Sequence, residues 1–291
     1  MRRAYEAQKI VLLDTMRLFI TGAAGTCGSV LKDLNYDKKF FDMKECPESF
    51  RDEYYIQGNI SDLELIKKEI QDCNVLIHLA AADYYPDFDM GSSDDWDNYI
   101  LNNITYLKNL YEIAVQAGVS NIIFASTHRV MGLYEKSHAP NIYKLNHGIK
   151  IDHKKEPRPD SFYAVTKLFG ENLGRFLVEE KGISYTSLRI GSVREEGFDH
   201  PYAYAEYGFQ QNLWSRESQE YKNQVNRLKG LWQSRRDFLQ MIDLLIKSDS
   251  EEYNTFYGLS NNDRRWFDID HALEEIGYQP KDNSQTINFE I

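Results

Sequence analysis

Leu18-Phe19-Ile20-Thr21-Gly22-Ala23-Ala24-Gly25-Thr26-Cys27-Gly28 is the stretch that decides the fold of this chain. An apolar run of strand length leads directly into three glycines, each three residues after the one before. Glycine lets the backbone turn sharply and approach a ligand, and the free N–H groups at the start of a helix attract negative charge. The stretch therefore predicts a strand, a pyrophosphate-binding loop and a helix from about Cys27 to Leu34. A tight turn without a ligand is the alternative at this point.

The same alternation of strands and helices continues along the chain. Hydrophobic periodicity predicts strands at 17–21, 39–43, 53–57, 75–80, 121–126, 184–190 and 254–258, and helices at 63–70, 96–117, 162–180, 235–247 and 270–277. Such alternation builds a Rossmann-type, doubly wound α/β fold, in which helices cover both faces of a parallel sheet. The segment 193–231 is polar and rich in tyrosine and shows no clear strand, so we predict an inserted lobe there.

An acidic residue and two groups of small residues follow the next predicted strands. Asp42 comes 17 residues after Gly25, about where a carboxylate reaches the adenosine ribose hydroxyls in dinucleotide-binding domains. A carboxylate there repels a 2′-phosphate, so we predict NAD in preference to NADP. The alternative is that Asp42 is a solvated loop residue. Gly58-Asn59-Ile60 and Leu79-Ala80-Ala81 would let adenine and ribose lie across the strand ends.

Tyr163-Ala164-Val165-Thr166-Lys167 places a tyrosine and a lysine one helical turn apart. A tyrosine in water has a pKa of about 10, so it acts as a base near neutral pH only where positive charge stabilises its ionised form. Lys167 and a nicotinamide ring would supply that charge. Tyr163 would then take the proton of a hydroxyl group while a hydride moves to the nicotinamide. The alternative is a pair that merely shares a helix face, but its order after the glycine loop favours catalysis.

Composition limits the class of protein. The chain has 291 residues, of which 42% are hydrophobic, enough for a full core. The 34 Lys and Arg residues against 45 Asp and Glu residues give a net charge of −11, which argues against a general binder of nucleic acid or of an anionic membrane. No run reaches the roughly 20 apolar residues of a membrane span. Cys27, Cys46 and Cys73 have no paired spacing, so we expect reduced thiols in a cytoplasmic protein, without disulfides or a metal site.

Together these motifs resemble the extended short-chain dehydrogenase/reductase family, which includes the NAD-dependent epimerases and dehydratases, from Met16 to about Glu290. The resemblance also rests on Asn103 and on Phe124-Ala125-Ser126-Thr127. It implies that Tyr163, Lys167, Thr127 and Asn103 are catalytic, with Asn103 supporting the lysine through a water. It further implies cofactor contacts from Gly22, Ala24, Gly25, Thr26, Cys27, Gly28, Asp42, Asn59, Ile60, Leu79, Ala80, Ala81, Tyr163, Lys167 and Ile190. The family usually has Asp where this chain has Asn59.

The second half of the chain is similar to the uronate dehydrogenases and the archaeal NAD-dependent glucose-6-phosphate dehydrogenases. The similarity rests on 188–192, on Arg227 with 232–238, and on 257–266 and 277–283. It implies oxidation of an aldose at its anomeric carbon, with Arg227 holding the substrate carboxylate. A guanidinium fork suits either a carboxylate or a phosphate. We therefore predict an anionic aldose, such as a uronate or a sugar phosphate, as the small-molecule substrate.

Three residues depart from the uronate dehydrogenase pattern on the substrate side. His128 and Arg129 stand where those enzymes have Asn and His, and Asp83 replaces a serine. Arg129 is either an additional anion contact or a surface arginine. We expect His128 to hydrogen-bond within the pocket and not to bind a metal, since no second ligand lies at a suitable spacing. The expected substrate contacts are Asp83, Thr127, His128, Arg129, Ser192 and Arg227.

Two other functions stay open. The first is a nucleotide-sugar epimerase or dehydratase that uses the same residues with a tightly held NAD, although His128 and Arg129 occupy the places of a dehydratase's acidic pair. The second is a redox sensor or scaffold that binds a dinucleotide without turnover, but such relatives typically lack the Tyr or the Lys. The resemblance also implies a homodimer through the helices at 96–117 and 162–180.

The predicted domain organisation follows from these assignments. We expect residues 1–15 to be an N-terminal extension, or an artefact of start-site choice, and not a signal peptide, because no small-residue cleavage site follows. Residues 16–192 are predicted to form the NAD-binding domain, with 233–258 returning to it. Residues 193–232 and 259–291 are predicted to form the substrate-binding lobe.

Overall fold

The computed structural model describes residues 16–82, 93–248 and 252–288, and seven strands of these residues form one sheet. The strands are β1 (Arg17–Thr21), β2 (Asp37–Asp42), β3 (Tyr54–Gln57), β4 (Val75–His78), β5 (Asn121–Thr127), β6 (Ser184–Ile190) and β7 (Tyr253–Gly258). Their order across the sheet is β3-β2-β1-β4-β5-β6-β7. The chain thus adds strands outward on one side of β1 and then builds the other half from β4.

Parallel pairing buries the central strands. Ile20 of β1 lies opposite Phe40 of β2 on one side and Ile77 of β4 on the other. Every residue of β4 and β5 is buried, as expected where helices cover both faces of a parallel sheet. The predicted doubly wound parallel sheet is confirmed. The strand order changes direction between β1 and β4, and ligands of such sheets bind at the carboxyl ends of the strands at that point.

Nine α-helices lie in the described residues: α1 (Leu63–Glu69), α2 (Ser93–Tyr99), α3 (Leu107–Gln116), α4 (Gly132–His138), α5 (Phe162–Lys181), α6 (Ala203–Gln210), α7 (Gln219–Leu231), α8 (Arg235–Lys247) and α9 (Asp270–Ile276). Side-chain caps explain where several begin. Asp62, Ser161 and Ser218 accept backbone N–H bonds at the starts of α1, α5 and α7, which satisfies otherwise unpaired donors. Helix α5 ends at Gly182, which adopts a left-handed conformation.

The segment after the glycine loop differs from the prediction. A 3₁₀-helix at Gly28–Asp33 replaces the helix expected from Cys27 to Leu34. Leu34 is already extended, and its N–H donates to the Leu31 carbonyl. Because β2 starts three residues after Leu34, the segment is too short to build several α-helical turns, and short segments of this kind favour the tighter helix.

The helix predicted at 96–117 is also not uniform. Between α2 and α3, residues Ile100–Tyr106 are π-helical, a form that is rare and frequently found at functional sites. Asn103 lies in this stretch and is buried. Its side chain accepts a hydrogen bond from the Ala82 N–H and donates one to the Thr166 hydroxyl. We attribute the wider turn to these two long-range bonds.

The chain divides into two compact units. Unit 1 contains the described residues up to Ala125, together with Ser161–Ser187 and Leu245–Asn254. Its core is a continuous cluster of buried apolar side chains that includes Phe19, Leu76 and Phe124; burying one such side chain contributes about 1.5–3 kcal/mol.

Unit 2 contains Ser126–Asp160, Leu188–Leu244 and the residues from Thr255 onward. Two small apolar clusters lie in it, one around Leu228 and Trp232 and one around Tyr221 and Val225. Helices α6 and α7 fill much of the segment predicted as an inserted lobe, and α4 was not predicted. The domain boundaries derived from the sequence stay a prediction. No helix in the described part of the chain is long and apolar enough to cross a bilayer.

Candidate functional site

The glycine loop packs against the ends of two strands of unit 1. Gly22 has a φ of +74°, a left-handed conformation that favours glycine. Its N–H donates to the Phe41 carbonyl at 2.9 Å. A Cβ atom at Gly22 would lie 2.6 Å from the backbone nitrogen of Ala80, so no other residue fits without displacing the backbone that follows β4. The loop therefore exposes backbone and not side chains.

A cleft of about 300 Å³ opens beside this loop. Eight of the predicted cofactor residues line it: Gly22, Gly25, Asp42, Asn59, Ile60, Leu79, Ala80 and Ala81. Lys44 and Asn102 also line it and were not predicted. Lys44 could have been noticed as a cation two residues after Asp42, whereas Asn102 stands in a helix with no motif. The exposed backbone at Gly22 and the small side chains of Ala80 and Ala81 leave room for a dinucleotide in the cleft.

Asp42 connects the loop to the cleft. Its carboxylate accepts hydrogen bonds from the Ala24 N–H and the Lys44 N–H, both at 2.9 Å. The residue is 8% exposed, which contradicts the alternative of a solvated loop acid. A carboxylate has about four acceptor positions, so the two backbone bonds leave capacity for ribose hydroxyls.

Tyr163 and Lys167 lie one turn apart at the start of α5. Lys167 is 2% exposed. Its ammonium group donates to the Ala125 carbonyl at 2.8 Å and lies 4.8 Å from the centre of the Phe124 ring. The same nitrogen is 5.7 Å from the centre of the Tyr163 ring. Burial lowers the pKa of Lys167 to about 7, while the charge of Cys27 acts in the opposite sense. The helix thus holds a buried, titratable cation next to the tyrosine.

Asn103 joins this pair to the cleft. Ala82, which lines the cleft, donates to the Asn103 side chain at 2.9 Å, and Asn103 donates to Thr166 at 3.0 Å. Thr166 directly precedes Lys167. The direct partners of Asn103 are therefore Ala82 and Thr166, and its predicted role toward the lysine stays a prediction.

The predicted residues of unit 2 begin at the end of β5. Thr127 is buried, and its hydroxyl accepts a hydrogen bond from the Arg129 N–H at 3.2 Å. His128 is also buried, and its Nδ1 bonds to the Ile190 carbonyl at 3.1 Å. A carbonyl only accepts, so Nδ1 carries the proton and Nε2 is an acceptor. Burial, followed by the charge of Arg227, lowers the pKa of His128 to about 4, so the ring is neutral at neutral pH.

Both predicted arginines of unit 2 form ion pairs with buried carboxylates. Arg129 Nε lies 3.1 Å from Asp160, whose side chain is 5% exposed. Arg227 contacts both carboxylate oxygens of Glu135, at 2.5 and 3.2 Å, and that side chain is 7% exposed. Burial alone would raise the pKa of Glu135, but the charge and hydrogen bonds of Arg227 lower it. The alternative of Arg129 as a surface residue is wrong, because its side chain is only 18% exposed.

The remaining predicted residues have simpler surroundings. Ser192 follows β6, and its N–H donates to the Leu231 carbonyl at 2.8 Å. Ala24, Thr26, Cys27, Gly28, Tyr163, Lys167 and Ile190 do not line the cleft of unit 1. Asp83 lies outside the described residues. Glu135 was missed by the sequence reasoning, because no motif marks it and its partner Arg227 is 92 residues away.

The sequence profile of the NAD-dependent epimerase/dehydratase family matches residues 18–243. The chain belongs to this family. The predicted resemblance is confirmed, and so is the NAD cofactor at the level of the family.

Individual relatives match most of the chain. The NAD-dependent glucose-6-phosphate dehydrogenase of Haloferax volcanii is 29% identical over 282 residues, which cover 94% of this chain and 96% of the relative. A uronate dehydrogenase of Pseudomonas putida is 28% identical over 275 residues, covering 93% and 85%. Among solved structures, a mutant uronate dehydrogenase from Agrobacterium tumefaciens complexed with NAD gives a TM-score of 0.69 at 25% identity, covering 93% of this chain and 86% of that chain.

Proposed function

We propose that this protein is an NAD-dependent dehydrogenase that oxidises a sugar hydroxyl, at the anomeric carbon of an anionic aldose such as a uronate or a sugar phosphate. The observation that carries the proposal is the buried Lys167 ammonium, held by the Ala125 carbonyl one turn from Tyr163. Asn103 links this pair to the nucleotide cleft. The relatives reported above support a sugar as the substrate, since they are named for glucose 6-phosphate and uronate.

Tyr163 is the proposed general base. It takes the proton of the sugar hydroxyl, and the Lys167 charge stabilises the phenolate through space. NAD, when bound in the cleft, accepts the hydride. Ala125, Ser126 and Thr127 form the end of β5, so the strand that fixes the lysine also carries Thr127, which we propose hydrogen-bonds the reacting oxygen.

The cofactor preference is proposed to be NAD over NADP. Asp42 lines the cleft, and its side chain is fixed by the Ala24 and Lys44 N–H groups. A carboxylate held in place repels a 2′-phosphate and accepts hydrogen bonds from the ribose hydroxyls. Lys44 also lines the cleft and acts against this preference. The balance between these two charges decides the ratio of the two cofactors.

We propose that His128 recognises a hydroxyl group of the sugar substrate. Its Nε2 is buried and has no hydrogen-bond donor among the described residues. Because Nδ1 donates to Ile190, Nε2 offers a lone pair, and the O–H of a sugar would satisfy it. Asp83, Thr127, Arg129, Ser192 and Arg227 stay in the proposal as substrate contacts, and Ile190 stays as a cofactor contact.

The alternative is a nucleotide-sugar epimerase that keeps its NAD through the cycle. It has less support, because the relatives described above are dehydrogenases. The two functions differ in one simple property. An epimerase is expected to retain NAD during purification, whereas a dehydrogenase releases NADH after each turnover. We also propose that the protein is cytoplasmic and forms a homodimer, and sedimentation of the purified protein would test the dimer.

The experiment is an assay of NAD reduction by ultraviolet absorbance, with glucuronate, galacturonate, glucose 6-phosphate and neutral aldoses. We expect turnover of an anionic aldose by the full chain and a loss of about 10²- to 10⁴-fold in Tyr163→Phe, the range for removal of a general base. Tyr54→Phe is the matched control, since Tyr54 is exposed and its hydroxyl bonds to Glu69. No turnover of any sugar by a chain that binds NAD would overturn the proposal.

A further inference from the structure

Three arginines of unit 2 lie near enough to Tyr204 for their charges to act on its hydroxyl group. Burial raises the pKa of Tyr204, and the charges of Arg227, Arg129 and Arg194 oppose that rise. Tyr204 itself packs against Trp214, with ring centres 6.2 Å apart. We call Arg129, Arg194 and Arg227 the arginine cluster. A cluster of like charges in a partly buried place needs negative charge nearby.

Two members of the arginine cluster already have that negative charge. Arg227 is paired with Glu135, and Arg129 with Asp160, and both carboxylates are at least nine-tenths buried. Tyr143 donates a further hydrogen bond to Glu135 at 2.9 Å. Each of these pairs is close to neutral as a unit. Neither has the uncompensated charge that best attracts a substrate anion.

Arg194 is different. Its Nη2 lies 3.5 Å from Glu195, whose side chain is 56% exposed. Such a pair is screened by water and contributes little to stability. The Nε atom of Arg194 is buried and has no acceptor among the described residues. A buried donor left without a partner keeps the cost of its lost hydration, so this N–H favours an incoming oxygen ligand.

The backbone around Arg194 is held firmly. Its carbonyl accepts a hydrogen bond from Arg235 at 3.4 Å. Two residues earlier, Ser192 pairs in parallel with Trp232, and the Gln233 N–H donates to the Ser192 carbonyl at 3.0 Å. The backbone that carries the Arg194 side chain is therefore held in place two residues after Ser192, which is predicted to contact the substrate. A preorganised donor loses less entropy on binding.

We propose that Arg194 binds the anionic group of the sugar substrate, while Arg227 and Arg129 contact the rest of the sugar as members of ion pairs with their carboxylates. The inference rests on the proposed function, because it names the anion contact of that substrate. A guanidinium binds carboxylate and phosphate oxygens in the same bidentate way, so both anionic groups belong to the test.

The test compares the full-length wild type with Arg194→Gln on matched sugars, glucose 6-phosphate and glucuronate against glucose. We expect KM for the anionic aldose to rise at least about 10-fold, the range for a hydrogen bond to a charged group. We expect kcat to change by less than about 2-fold and glucose to be unaffected, because Arg194 contributes to binding and not to the reacting atoms. Whether the phosphate or the carboxylate loses more identifies the natural anion.

Glu195→Gln is the matched control. It removes the exposed partner of Arg194 and keeps the guanidinium, so we expect the anionic aldose to bind at least as tightly as to the wild type. An equal loss of affinity in Glu195→Gln and Arg194→Gln would mean that the pair is structural, and would overturn the inference. An unchanged KM in Arg194→Gln, or equal losses for glucose and the anionic sugars, would overturn it as well.

Calorimetric binding of glucose 6-phosphate and glucuronate in the presence of NAD separates this inference from the proposed function. Binding that Arg194→Gln weakens, without turnover in the wild type, would support the anion site and reject the dehydrogenase. Turnover with binding that Arg194→Gln leaves unchanged would support the dehydrogenase and reject the anion site. If the wild type bound neither glucose 6-phosphate nor glucuronate, the proposed anion site would be rejected.

Discussion

The nucleotide cleft of unit 1 and the arginine cluster of unit 2 are built in different ways. The cleft is lined mostly by backbone and small side chains at strand ends, and the bond that fixes its acid joins Ala24 and Asp42, 18 residues apart. The arginine cluster depends on buried ion pairs, and the Glu135–Arg227 pair joins residues 92 apart. Short motifs therefore predict the residues that line the nucleotide cleft. The charges of the arginine cluster depend on ion-pair partners that no motif contains.

The largest expected effect is a loss of stability when the Glu135–Arg227 ion pair of unit 2 is broken. Glu135→Gln leaves the partly buried Arg227 without its counter-charge, and breaking a buried pair in this way costs up to about 3–5 kcal/mol. The free energy of unfolding in urea measures it. Glu112→Gln in unit 1 is the control, because its pair with Lys108 is about half exposed and is expected to contribute about 0.3–0.5 kcal/mol. Similar losses in both variants would contradict the contrast between the units.

The next largest effect is a loss of affinity for NAD when the glycine loop of unit 1 is changed. Gly22→Ala places a Cβ against the backbone of Ala80 in a left-handed conformation, so the loop must move. We expect the Kd for NAD to rise roughly 100-fold, since overpacking costs about 1–3 kcal/mol. Gly118→Ala is the matched control, because Gly118 has a φ of +88° with open space around its Cβ position. A titration that gives the same Kd for Gly22→Ala and the wild type would refute this account of the cleft.

A third prediction concerns how the buried Lys167 of unit 1 makes stability depend on pH. In the folded protein the pKa of Lys167 is about 7, below its ordinary value of 10.5. Between these two pH values the unfolded chain holds a proton that the folded chain lacks, so this group makes stability rise with pH. The slope is at most about 1.4 kcal/mol per pH unit. Below about pH 7 both states are protonated and this contribution is constant.

Urea unfolding at a series of pH values in that window would measure the slope. Lys167→Met is expected to flatten it, whereas Lys108→Met, which alters an exposed lysine, is expected to leave it as in the wild type. A slope unchanged by Lys167→Met would show that the lysine stays protonated in the fold.

The smallest effect concerns the choice between the two cofactors. Asp42→Asn removes the carboxylate charge and keeps one acceptor oxygen, so it retains one of the two backbone bonds, which go to different carboxylate oxygens. We expect the ratio of kcat/KM for NADP to that for NAD to rise about 5-fold, which corresponds to about 1 kcal/mol of repulsion between two unit charges about 4 Å apart at high dielectric constant. Lys44→Gln is expected to lower the same ratio, because Lys44 lines the cleft. A ratio that neither variant changes would remove Asp42 from the specificity argument.

The sequence predicted the elements of the site that depend on short spacing. One turn of α5 separates Tyr163 and Lys167, so their proximity follows from helix geometry alone. Asp42 was predicted from its distance to the glycine loop and lines the cleft. The π-helical turn around Asn103 was not predictable, because its cause is two hydrogen bonds to residues 21 and 63 positions away. The hydrophobic pattern of that segment is compatible with a regular helix.

By itself, the sequence determined the parallel sheet, the glycine loop, the Tyr–Lys pair and membership of a family, because each of these depends on local periodicity or on a motif. Only the tertiary structure decided which charges remain available to a ligand. Nothing in the sequence indicates that Arg129 and Arg227 are paired with buried carboxylates while the partner of Arg194 among the described residues is an exposed one. Ion pairing depends on distance and burial in space, and a one-dimensional pattern contains neither.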